Sequence, residues 1–161
     1  RITQDRNGRE PQDIVTAWSK QLTAAIREQD ERTLITVGVI PWAQVFPGAK
    51  PTFYAGDAAA CFDFVAVHFY PKSGEVDKAL KALSVYEIGK PLVIEEMFPL
   101  SCSEDELVTF VQSSKDAGTD GWISFYWGTT AEQYSAKTED LPSAIKAAWL
   151  RRFTALGGTM R

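Results

Sequence analysis

Four short apolar runs recur along the chain, Leu34-Ile35-Thr36-Val37-Gly38-Val39, Phe64-Val65-Ala66-Val67-His68, Leu92-Val93-Ile94-Glu95-Glu96 and Trp122-Ile123-Ser124-Phe125-Tyr126. Their starts lie about 30 residues apart, the length of one strand-helix unit. Each run is continuous rather than alternating, as in parallel strands covered on both faces. Between them the spacing is helical. Asp13 is placed to cap a helix with an apolar stripe of Ile14, Trp18, Leu22, Ala25 and Ile26, ending near Asp30. Val76, Leu80 and Leu83 form a second stripe that stops at Gly89-Lys90-Pro91. Ser103 and Glu106 make a capping box ahead of Leu107, Phe110 and Val111, and Gly118 is placed to end that helix. Ile145, Trp149 and Phe153 mark a last helix, with Pro142 near its start.

Repeated strand-helix units build either an open doubly wound sheet or a (β/α)8 barrel. Polar and aromatic residues gather at the C-terminal end of every run: Pro41-Trp42, His68-Phe69-Tyr70-Pro71, Glu95-Glu96 and Tyr126-Trp127. In a barrel these positions converge on one mouth, whereas in an open sheet they spread along an edge. No glycine-rich phosphate loop follows any run, which weighs against nucleotide binding. The expected class is therefore α/β, a (β/α)8 TIM barrel. A full barrel takes about 250 residues and eight strands, against 161 residues and four runs here. Half a barrel leaves two open sheet edges and an uncovered inner face. The other half is expected from an upstream stretch of the same gene, a second chain or a self-dimer.

Composition narrows the partners. The chain is 45% apolar, 24% charged and 12% aromatic, as in a folded, water-soluble domain. Its 17 Lys and Arg against 21 Asp and Glu leave a net charge of -4, so no broad basic surface is available for nucleic acid or an anionic membrane. No apolar run approaches the ~20 residues that span a bilayer, and Arg1-Ile2-Thr3-Gln4-Asp5-Arg6 has no signal-peptide core; localisation stays open. Cys61 and Cys102 are too few for a disulfide scaffold and lie outside zinc-ligand spacing. Placed at opposite ends of neighbouring strands, they are expected to be free thiols. With His68 the single histidine, neither a metal nor a cofactor is expected.

The motifs Ala66-Val67-His68-Phe69-Tyr70-Pro71, Lys90-Pro91-Leu92-Val93-Ile94-Glu95-Glu96-Met97-Phe98 and Gly121-Trp122-Ile123-Ser124-Phe125-Tyr126-Trp127 resemble strands six, seven and eight of the retaining glycoside hydrolases of clan A. The resemblance is to family 5, the cellulase and mannanase group. Arg32-Thr33-Leu34-Ile35-Thr36-Val37-Gly38, after Ala25-Ile26-Arg27, is similar to that family's fourth helix and fifth strand. The likeness runs from about Ile14 to Trp149 with the motifs in family order. It implies that residues 1–161 are the C-terminal half of the barrel, strands five to eight, with no second domain.

What the resemblance implies for the site follows residue by residue. Glu96 matches the nucleophile ending strand seven, which attacks the anomeric carbon to form a glycosyl-enzyme ester. His68 and Tyr70, two apart on one strand face, match a pair lining the sugar site, with the Tyr hydroxyl on the nucleophile. Trp127 matches the aromatic floor under the sugar ring, followed by a non-proline cis peptide. Trp42 is a candidate for the leaving-group side of the cleft, while Gln44, Phe98 and Tyr134 are unranked candidates for its wall. Trp122, of opposite strand parity to Trp127, is expected in the core. Strand alternation places Glu95 and Glu96 on opposite faces, so that only one reaches the mouth.

One part of the pattern is missing. Retention requires a second carboxylate about 5–5.5 Å from the first, which in the family belongs to an Asn-Glu-Pro motif ending strand four. Glu10-Pro11 follows Arg9 rather than Asn, has no apolar strand before it and lies too close to the first helix, so Glu10 reads as a loop residue. The acid/base is expected outside these residues. The expected function is hydrolysis of a β-linked glucan or mannan, with an oligo- or polysaccharide and the missing half-barrel as partners. The 161-residue chain alone is expected to be inactive. A non-catalytic carbohydrate-binding protein on the same barrel is the alternative; a barrel enzyme using Glu96 as a proton-abstracting base is a third.

Overall fold

The computed structural model describes residues 7–126, 128–137 and 140–160. Among the described residues, β1 (Gly38–Val39), β2 (Val65–His68), β3 (Leu92–Glu96) and β4 (Gly121–Trp122) form one parallel sheet in the order β1-β2-β3-β4. Helix α1 (Pro11–Arg27) precedes the sheet. Between β1 and β2 lie α2 (Trp42–Val45), a 3-10 turn at Thr52–Tyr54 and α3 (Gly56–Ala59). Helix α4 (Val76–Leu83) and a 3-10 turn at Ser84–Tyr86 join β2 to β3, α5 (Glu104–Asp116) joins β3 to β4, and α6 (Ala131–Ser135) and α7 (Leu141–Thr159) follow. The protein is a mixed α/β fold, as the apolar runs predict.

Register sorts the strand residues into two rows. Val39, Val67, Ile94 and Trp122 are neighbours across the sheet, and so are Gly38, Ala66, Val93 and Gly121. Side chains alternate along a strand, so the rows face opposite sides. The first row meets the helices. Val67 and Ile94 are fully buried, and Trp122 Nε1 donates to Ser114 Oγ on α5 at 2.8 Å, which puts this tryptophan in the packing layer. Above that row the Phe69 ring lies 6.0 Å from Tyr86 and 5.6 Å from Phe110. Leu83, Leu107 and Trp149 complete the core, and Trp149 Nε1 is held by Ser124 Oγ at 2.8 Å.

The second row is built from small residues. A Cβ added at Gly121 would stand 3.3 Å from Val93 Cγ2, so a glycine there lets the strands keep their spacing without moving Val93.

The outer strands are shorter than their apolar runs, for a physical reason. The Tyr54 hydroxyl sits between β1 and β2, donating to the Val37 carbonyl and accepting the Ala66 N–H at 2.8 Å. Ile35 N–H donates to Asp63 Oδ2 at 2.6 Å, and Thr36 Oγ1 donates to the Phe64 carbonyl at 2.8 Å. Residues 34–37 are thus tied to β2 largely by side chains. On the other side the pairing outlasts β4: Ile123 N–H donates to Ile94 O at 2.8 Å and Phe125 N–H to Met97 O at 2.9 Å.

Helix α5 carries the expected box. Ser103 Oγ accepts the Glu106 N–H, and the Glu106 carboxylate accepts the Ser103 N–H at 2.9 Å and the Gly74 N–H at 2.7 Å. Those backbone donors, Ser103 first, hold the Glu106 carboxyl down to about 2. Gly118 ends the helix at φ 88°, and Cys61 and Cys102 are free thiols.

Helix α1 departs from expectation. Glu10 stands at its N-terminal boundary without a side-chain capping bond, Pro11 opens its first turn, and Asp13 lies inside it. Its buried residues are Val15, Ser19 and Thr23, while Trp18, Leu22 and Ile26 of the expected stripe are exposed. The helix meets the following segment through Gln12 Nε2 to the Thr52 and Ala55 carbonyls at 3.2 and 3.0 Å, Lys20 to Asp57 at 2.9 Å, and the Trp18 ring edge-on to Phe53 at 5.6 Å. Leu34 just before β1 and Ile123 just after β4 remain 68% and 56% exposed. Both flanks of the sheet therefore present apolar side chains to water.

Candidate functional site

The chemistry collects where β2 and β3 end. The two strands run in step from Val65 and Leu92 to Val67 and Ile94, after which His68 pairs with Glu96 instead of Glu95. Glu95 is the additional residue of a bulge, a feature that re-aims side chains.

That bulge corrects the expectation that only one of the two carboxylates reaches the site. His68 Nε2 lies 3.1 Å from Glu95 Oε1, and His68 Nδ1 lies 3.5 Å from Glu96 Oε2. One imidazole spans both acids. All three side chains are between 24% and 29% exposed, enough shielding for the contacts to outweigh those of open surface pairs.

Tyr70 closes the cluster from the other side. Its hydroxyl donates to Glu96 Oε1 at 2.6 Å, the short distance of a bond to an ionised acceptor. Burial first, and donation to Glu96 second, push the Tyr70 phenol above its ordinary range. It therefore stays a donor at neutral pH. Glu96 thus has one oxygen anchored by a phenol and the other 3.5 Å from a ring nitrogen.

The other candidates fall into separate groups. Gln44 is buried and Nε2 donates to the Tyr70 carbonyl at 3.3 Å, so it supports the backbone under Tyr70. Phe98 is buried with its ring 4.6 Å from Tyr126. Tyr126 adopts φ 67°, a left-handed conformation rare for a bulky residue, and Lys146 Nζ stands 4.5 Å above its ring and 5.4 Å from that of Tyr134. Trp42 is exposed at the start of α2, its ring 6.0 Å from Phe46. It does not join the His68, Tyr70, Glu95 and Glu96 network. It lines a groove of about 510 Å3 with Pro11, Gly38, Ile40 and Phe53. Trp127 and the peptide bond after it lie outside the described residues.

Sequence reasoning passed over Gly38. A Cβ there would fall 1.8 Å from Glu95 Oε1 and 2.8 Å from His68 Nε2, so the histidine-glutamate pair occupies space that any larger residue would fill. Giving the mouth to Glu96 alone hid Glu95, which shares strand parity with Val93, and nothing in an apolar run distinguishes this glycine.

Among the described residues no group of three or more His, Cys, Asp or Glu is arranged to hold a metal. The cluster offers a fixed carboxylate, a phenolic donor and an imidazole, which suits nucleophilic or base chemistry. Compared with models of known families and with curated proteins, the chain matches none.

Proposed function

We propose that this chain is the C-terminal half of a (β/α)8 barrel and carries the nucleophile of a retaining glycoside hydrolase acting on a β-linked glucan or mannan. The barrel reading draws support from strand order. Four parallel strands adjacent in chain order fit a barrel, whereas a doubly wound sheet reverses order at a switch point. The apolar side chains exposed at both flanks fit surfaces awaiting a complementary half.

The observation that carries the catalytic reading is the 2.6 Å bond from the Tyr70 hydroxyl to Glu96 at the C-terminal end of the strands. A nucleophilic carboxylate must be ionised, immobile and aimed, and a phenol donating to one oxygen supports those needs. Glu96 attacks the anomeric carbon as the leaving oxygen takes a proton from an acid in the complementary half. Water then enters, that same group removes its proton, and the ester to Glu96 breaks. His68 and Tyr70 flank the reacting sugar, and Trp127 is proposed as its floor.

Glu96→Gln in the complete enzyme is expected to abolish release of sugar from β-linked glucan and mannan oligomers while circular dichroism stays unchanged. Retained hydrolysis contradicts the assignment. A non-catalytic carbohydrate-binding role is the second reading, favoured by one observation: the other carboxylate of the cluster, Glu95, is engaged by His68. Oligosaccharide binding without turnover by the assembled barrel decides for it.

A further inference from the structure

Alternation puts Glu95 in the row of Val93, and the bulge at the end of β3 turns Glu96 to the same side, so Glu95 is an inward neighbour of the site rather than a spare charge. Three independent features meet there. Register places Glu95 and Glu96 together opposite His68. The single histidine of the chain touches one acid with each ring nitrogen. Gly38, on the adjoining strand, leaves the space in which the Glu95 carboxylate meets the ring, since a Cβ would fall 1.8 Å from its oxygen.

We propose that Glu95 is a positioning residue, holding His68 by its Nε2 so that Nδ1 is presented to Glu96, in room that Gly38 keeps open.

The chemistry follows from donor counting. An ionised carboxylate only accepts hydrogen bonds, so Glu95 takes the proton on Nε2 and sets both the ring plane and its rotation about χ2. With that rotation set, Nδ1 faces Glu96 Oε2 at 3.5 Å while Tyr70 holds Oε1 at 2.6 Å. Without Glu95 the imidazole is free to rotate, and the ring atom that stands beside Glu96 Oε2 is no longer set. The effect on sugar cleavage rests on the hydrolase reading above; the effect on the ring does not.

The test is 15N NMR of the histidine ring in the protein, with His68 assigned by the signals lost in His68→Gln. Glu95→Ala is expected to shift both ring nitrogens, and Glu95→Gln, whose amide oxygen still accepts from Nε2, to restore the Nδ1 signal towards wild type. Gly38→Ala, whose methyl takes the carboxylate's space, is expected to reproduce the Glu95→Ala pattern. In the complete enzyme Glu95→Ala is expected to lower kcat by up to about 100-fold at little changed KM, the scale of a misplaced reacting group, with partial recovery in Glu95→Gln. A Glu95→Ala protein in which Nδ1 stays at its wild-type shift overturns the proposal, as does a folded Gly38→Ala protein with wild-type ring signals. If the ring responds as stated but wild-type protein cleaves no glycoside, the positioning stands and the hydrolase reading falls.

Discussion

Two rows of residues lie one step apart on the same strands and behave as opposites. Val39, Val67, Ile94 and Trp122 face the helices, the first three buried and Trp122 half-buried with its indole bonded to α5; Gly38, Ala66, Val93 and Gly121 face the other way and include two glycines and an alanine. The first row ends in packing. Next to the second row's C-terminal end stand His68, Glu95, Glu96 and Tyr70, partly open to water and tied to one another. The difference teaches where each kind of selection acts: one face supplies the free energy of folding, and the other is free to hold polar groups in a fixed arrangement.

Adjacent residues give the sharpest way to break that comparison. Ile94→Ala is expected to cost about 2–5 kcal/mol in denaturant unfolding, and Val93→Ala clearly less, because Val93 is only partly buried. Equal losses would mean that both faces hold the fold. Next in size, Tyr70→Phe removes the hydrogen bond that anchors Glu96 Oε1. It should slow turnover of the complete enzyme about 10- to 100-fold while the unfolding midpoint moves little. A large loss of stability with normal turnover would place Tyr70 with the packing row.

Tyr54→Phe tests how the short first strand is held. It leaves the Ala66 N–H and the Val37 carbonyl without their shared partner, an expected loss of about 1–3 kcal/mol, with faster amide exchange at Ala66. The smallest effect is at the α5 cap. The folded-state pKa of Glu106 is about 2, against an ordinary 4.5. Its contribution is therefore complete above pH 4.5 and lost as pH falls towards 2. Melting temperature followed across that window should fall less in Glu106→Gln than in wild type. Part of the fall should persist, because Asp30, held down to about 2 chiefly by Thr33, remains.

Much of the scaffold was legible in the residue pattern. The run Leu92–Glu96 is β3 to the residue, and the Ser103–Glu106 box and the Gly118 stop are local devices that need no tertiary context. Residues two apart on a strand share a face, which is why His68 and Tyr70 could be grouped. What escaped depended on neighbours. Alternation presumes unbroken register, so a bulge that brings Glu96 to the same side as Glu95 and His68 is invisible in one strand's sequence. The Tyr54 hydroxyl replaces main-chain pairing from 12 residues before its partner Ala66. In α1 the spacing shows a stripe but not which face is buried: Val15, Ser19 and Thr23 turn inward, while Trp18, Leu22 and Ile26 stay exposed.

The central claim is that Glu96 bonds to sugar during turnover, and covalent trapping tests it most directly. The complete enzyme is incubated with a 2-deoxy-2-fluoro-β-glycoside bearing a good leaving group, digested and mapped by mass spectrometry. The account predicts one fluoroglycosyl ester, on Glu96. An ester on Glu95 or elsewhere, or turnover of the unmodified glycoside with no ester trapped, would contradict it.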